Sequence, residues 1–139
     1  LEISHHEDLA IKAHDSVCAL KLGNEIIFIK RCNGESALTV IGNFREEAVE
    51  GNGRQYIVIQ HNPLGTACNG GPIFIVQLSG KYDPIVSPEL DFCGGKPPLI
   101  AQNLNGLLIT FPGGPVNHGS GTIRTERWQY KSGAFIKVR

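Results

Sequence analysis

Methionine is absent from all 139 residues. A first residue of Leu rather than Met leads to the expectation of a mature N-terminus exposed by removal of a signal peptide. Net charge is lacking too: 13 Lys and Arg balance 13 Asp and Glu. Nucleic-acid binders draw most of their affinity from basic side chains on phosphates, so this balance argues against such a partner. Long apolar runs are missing, and none is longer than the four residues of 26–29. No segment reaches the roughly 18 residues of a membrane helix, so no membrane span is expected. Aromatic residues are scarce at 7%, which counts against a stacking platform for sugars. Neither a P-loop nor a dinucleotide fingerprint occurs, and no cofactor is expected. None of the many Asn residues sits in an Asn-x-Ser/Thr acceptor, which favours a bacterial origin for an exported protein.

What is present is glycine and proline, 17 and 8 residues, and with them the punctuation of short strands. Hydrophobic residues at 41% are enough for a conventional core in one domain. The pattern predicts strands over residues 16–22 and 25–31, joined at Gly23-Asn24, and over 37–41, 55–60 and 72–78. Further strands are predicted near Ile85 and over 99–102, 107–111, 122–130 and 134–138, with Asn105-Gly106 as the clearest tight turn. Residues 44–53 read as a charged loop or short helix. The expected fold is all-β, a single-domain antiparallel sandwich or open barrel of about nine short strands spanning residues 15–139. Residues 1–14 read as a flexible N-terminal segment, frayed or carrying one helical turn.

Four cysteines stand at 18, 32, 68 and 93. No C-x-x-C spacing occurs, so neither a zinc site nor a thioredoxin-like centre is expected, and a disulfide scaffold is. Cys68 and Cys93 each adjoin a Gly pair in loops flanking the strand over 72–78, and a bridge between them restricts the unfolded chain by about 3 kcal/mol in the entropy model. Cys18 and Cys32 flank a predicted hairpin and form the candidate second bridge; connectivity is not readable from spacing. Together these features point to a secreted or periplasmic protein.

Several clusters bear on function. Gly65-Thr66-Ala67-Cys68-Asn69-Gly70-Gly71-Pro72 resembles the nucleophile loop of chymotrypsin-like cysteine proteases. In that family backbone N–H groups beside the Cys bind an oxyanion, and here Asn69 separates Cys68 from the Gly pair. A Cys68 hydrolase therefore ranks below a disulfide role. The terminal His5, His6, Glu7 and Asp8 read as solvated residues rather than metal ligands, and no metal site is expected. His118 lies in a glycine-rich loop between Gly113-Gly114-Pro115 and Gly119-Ser120-Gly121, the kind of segment that carries binding function. Strand alternation puts Arg124, Glu126, Trp128 and Tyr130 on one face and Ile123, Thr125, Arg127 and Gln129 on the other. Trp128, the one Trp, is expected as the main core aromatic; Arg124 and Arg127 are either edge protection or protein contacts.

Ser79-Gly80-Lys81-Tyr82 forms a predicted turn that presents a hydroxyl, an ammonium and a phenol. This Ser-Gly-x-Tyr pattern, with the later segment from Gly119 to Tyr130, resembles the small bacterial periplasmic inhibitors of lysozyme. In several of those the Tyr lies further from the Gly. The resemblance implies a β protein whose loop plugs an enzyme's active site, with Ser79 and Tyr82 as contacts. The leading expectation is thus a non-enzymatic secreted or periplasmic protein that binds another protein, inhibiting or giving immunity to a cell-wall-degrading enzyme such as a peptidoglycan hydrolase. Its candidate contacts are Ser79, Lys81, Tyr82, His118, Arg124 and Arg127. An envelope module binding a ligand or glycan through the loop around residues 113–121 is the alternative.

Overall fold

A computed structural model describes residues 2–7, 16–22, 25–31, 38–46, 53–61, 72–79, 82–92, 96–115 and 121–139. Every regular element among them is a strand, and every pairing is antiparallel. The all-β antiparallel expectation holds, with thirteen strand segments in place of about nine. No helix among the described residues is long and apolar enough to cross a membrane.

The first sheet is a three-stranded meander of β1 (Glu2–Glu7), β2 (Ser16–Leu22) and β3 (Glu25–Arg31). Residues 2–7, expected as a frayed end or helical turn, instead pair along their whole length with β2, from Glu2 opposite Lys21 to Glu7 opposite Ser16. The second sheet runs in chain order through β4 (Leu38–Arg45), β5 (Arg54–His61), β6 (Ile73–Ser79) and β7 (Tyr82–Val86). The third is built from β8 (Leu99–Asn103), β9 (Gly106–Phe111), β12 (Glu126–Lys131) and β13 (Ala134–Val138), in the order β13-β12-β9-β8. A two-residue ladder of β10 (Gly114–Pro115) and β11 (Thr122–Ile123) stands between β9 and β12.

The second and third sheets pack face to face. Tyr56 and Val58 of β5, with Ile73 and Ile75 of β6, meet Leu107, Ile109 and Phe111 of β9 and Tyr130 of β12 in one buried cluster. The opposite face of the second sheet is closed as well: Leu38, Ile57, Ile59, Phe74 and Val76 form a separate buried cluster. A strand buried on both faces reads as an unbroken apolar run rather than an alternation. This is why Tyr56-Ile57-Val58-Ile59 and Ile73-Phe74-Ile75-Val76 carry no polar residue. In β9 and β12 the alternation returns, so the third sheet has one buried and one open face.

Three sequence expectations shift. Residues 44 and 45, read as the start of a loop, continue β4. A register break between Val40 and Gly42 lets Leu38 pack in one cluster and Phe44 in the other, a switch that plain alternation does not foresee. The single strand expected over 122–130 is broken at Arg124 and Thr125 into β11 and β12. The turn expected at Asn105-Gly106 falls one residue earlier, at Leu104-Asn105, and Gly106 opens β9 with φ 141°. A Cβ on Gly106 would clash with the Tyr130 carbonyl oxygen, so both its positive φ and the close strand approach require this glycine.

One end of the two-sheet body is closed by apolar packing. After β7 the chain stays beside β6, where the Ser87 hydroxyl accepts the Ile75 N–H at 2.8 Å and Leu90 bridges to Ile73. Phe92 then stacks on Phe111 with centroids 4.3 Å apart. The β8–β9 and β12–β13 hairpins turn at the other end, where β6 ends and β7 begins.

Candidate functional site

The hairpin end gathers polar and charged residues, with Leu104 its most exposed apolar side chain among the described residues. In the second sheet, the register sets Arg54 beside Ser79 and Ser79 beside Tyr82. The Glu46 N–H donates to the Arg54 carbonyl at 2.8 Å, which draws the start of the β4–β5 connection onto the same edge. In the third sheet, the Gln102 side-chain amide donates to the Arg45 carbonyl at 3.0 Å and holds the β8–β9 turn against that edge. The β12–β13 turn, Ser132-Gly133, comes up to the Ile85 methyl of β7. The end of β6, the start of β7 and the turns after β8 and β12 therefore share one end, where Leu104 stands at the tip of its turn with 103% relative exposure.

Beneath the tips lies a set of phenol hydrogen bonds. Tyr56 Oη donates to Glu46 Oε1 at 2.5 Å, and its pKa is raised, first by burial and second by that bond, with Arg54 pulling the other way. The Tyr130 ring meets the Tyr56 ring edge-on at 5.8 Å. Its hydroxyl donates to Gln77 Oε1 across the sheet interface at 2.7 Å. Burial pushes the Tyr130 phenol up to about 12. Glu46, Tyr56 and Arg54 thus fix the base from which the tips project. On the open face, Asn103 and Gln129 exchange amide hydrogen bonds at 2.7 and 3.2 Å, and the Asn105 N–H donates to Asn103 Oδ1 at 3.0 Å. The β8–β9 turn is therefore braced from both sides while Leu104 touches neither.

Of the contacts expected from sequence, the structure brings Ser79 and the backbone of Tyr82 to this end. Arg127 is exposed on the open face of the third sheet, opposite Thr110 and Val138. Arg124 is exposed in the break between β11 and β12. Neither joins the hairpin end. Lys81 and His118 lie outside the described residues, as do Cys32, Cys68 and Cys93; Cys18 sits on β2 with its backbone opposite His5. Trp128, expected as the main core aromatic, is only partly buried. Tyr56, Phe74, Phe111 and Tyr130 fill the interior instead. The Trp128 indole N–H reaches its own strand's Glu126 at 3.2 Å. Among the described residues no three His, Cys, Asp or Glu side chains converge.

Sequence reasoning missed Leu104, Glu46 and Arg54. A signal for Leu104 was present: an apolar residue between Asn103 and Asn105, where turn chemistry calls for a small polar one. Nothing local marks Glu46 or Arg54, which meet only through the β4–β5 pairing. Compared with family models, curated proteins and solved structures, the chain matches none.

Proposed function

We propose that the chain is a non-enzymatic protein-binding module acting outside the cytoplasm, with the hairpin end as its contact surface and a cell-wall-degrading enzyme as its partner. The observation that carries this reading is Leu104, wholly exposed on a braced turn at the same end of the two-sheet body as Ser79 and Tyr82. A leucine gains about 1.5–3 kcal/mol when it leaves water, and among the described residues none covers Leu104. The bracing means little conformational freedom is lost on docking, which favours affinity. A projecting turn also suits a concave target such as an active-site cleft. The Ser-Gly-x-Tyr pattern of residues 79–82 supports the same partner class by resemblance.

The test is binding and inhibition measured against a panel of muramidases and peptidoglycan amidases, with the chain and its Leu104→Asp variant. Binding to a panel member is expected, weakened about tenfold or more in the variant at unchanged thermal stability. Absence of binding across the panel would sink the partner class. Equal affinity of the two proteins would move the contact surface elsewhere.

A further inference from the structure

We infer that β13 is a self-complementary edge, through which two copies of the chain pair antiparallel about a twofold axis at Ile136. It follows from which backbone groups point outward. The two-residue turn Ser132-Gly133 has φ values of 48° and 89°, the left-handed pair of a type I′ hairpin. Such a turn closes on a hydrogen-bonded pair, here Lys131 and Ala134. Counting along the ladder, Ala134, Ile136 and Val138 direct their N–H and C=O groups to β12, and Phe135 and Lys137 direct theirs to the open edge. Among the described residues β12 is the only strand paired with β13.

A second β13 laid antiparallel with Ile136 opposite Ile136 sets Phe135 opposite Lys137 twice, and their outward groups complete four hydrogen bonds. The same register places Ala134 against Val138 and Ile136 against itself. All three lie on the open face, where Ile136 is 60% and Val138 38% exposed. No charged side chain then faces a like charge directly.

Edge strands are ordinarily blocked by proline or an outward lysine. The neighbouring edge of the second sheet, β7, is blocked in this way by Pro84. In β13 the one such guard is Lys137. Its ammonium is drawn back over its own sheet, 3.3 Å from Glu126 Oε1 and 5.7 Å from the Trp128 ring centre, and among the described residues no other strand covers the edge. Five residues bury little area, so the dimer belongs to the weak, concentration-dependent class.

The experiment is sedimentation velocity of the full chain from micromolar to millimolar concentration. The mass is expected to rise from 15.1 kDa toward twice that value, and Ile136→Lys, which sets like charges opposite, to weaken association about tenfold or more. Because Ile136 is exposed, circular dichroism of that variant is expected to match the parent. An independent reading uses Ile136→Cys under mild oxidation. Directly opposed, non-hydrogen-bonded residues stand about 4.5 Å apart at Cα, within the span of a disulfide. Covalent dimer above the parent's level is expected for Ile136→Cys and not for Lys137→Cys. Monomer throughout the range, growth beyond the dimer, or equal cross-linking of the two Cys variants would each overturn the pairing.

Discussion

At the scale of single residues, the hydroxyl of Tyr130 is the polar contact that joins the two packed sheets through their interior. The rest of that interface is aliphatic and aromatic, and such surfaces match in many relative positions. Replacing Tyr130 by Phe keeps the ring and leaves Gln77 Oε1 without its donor in a buried site. The expected cost is about 1–3 kcal/mol, read as a lower urea midpoint with an unchanged slope. The same phenol gives a pH signature. Its folded-state value of about 12 exceeds the ordinary 10.0, so between those values the folded chain retains a proton that the unfolded chain has lost. Stability is therefore complete below pH 10 and falls as pH rises toward 12. Tyr56 shifts in the same direction. A phenolate absorbance titration is expected to show these two rings ionising late, and an ordinary titration of both would contradict their burial.

At the scale of elements, legibility followed local chemistry. The strands β2, β3 and β13 have the bounds that turn residues and apolar runs predict, because local chemistry decides where they stop. The N-terminal strand was not legible: Ser4-His5-His6-Glu7 has the composition of a solvated end, and only the ladder to β2 makes it a strand. The break at Arg124-Thr125 was hidden for a similar reason. Alternation continues through it, while the short β10–β11 pairing pulls Thr122 and Ile123 out of line. The unbroken runs in β5 and β6 do carry a message, since only a sheet covered on both sides tolerates them. Phe74 belongs to the cluster facing away from the third sheet and is fully buried. Phe74→Ala is expected to cost about 3–5 kcal/mol, as much as a substitution in the cluster between the sheets. A loss below about 1 kcal/mol in chemical denaturation would show that this face is loosely closed.

At the scale of the whole molecule, the fold was legible and the site was only half so. Ser79 and Tyr82 could be grouped from sequence because a turn can be read from four consecutive residues. Their neighbours Glu46, Arg54 and Leu104 come from three other segments, and nothing short of the strand order brings them together. The cysteine scaffold remains an expectation of sequence. Alkylation of the denatured chain is expected to label no thiol until reductant is added, read by intact mass; labelling of Cys68 without reductant would revive the hydrolase reading. The two-sided core stabilises parts of the chain away from the tip of the β8–β9 turn.

That separation has a consequence for how the molecule changes over time. Leu104 and Asn105 contribute no side chain to either buried cluster, while the flanking Asn103 and Gly106 hold the turn in place. Two neighbouring codons can therefore drift without a folding penalty, and each new pair is displayed in the same pose. A lineage under pressure from a changing target can sample new specificities there quickly, and a library confined to those two positions would exploit the same freedom in the laboratory.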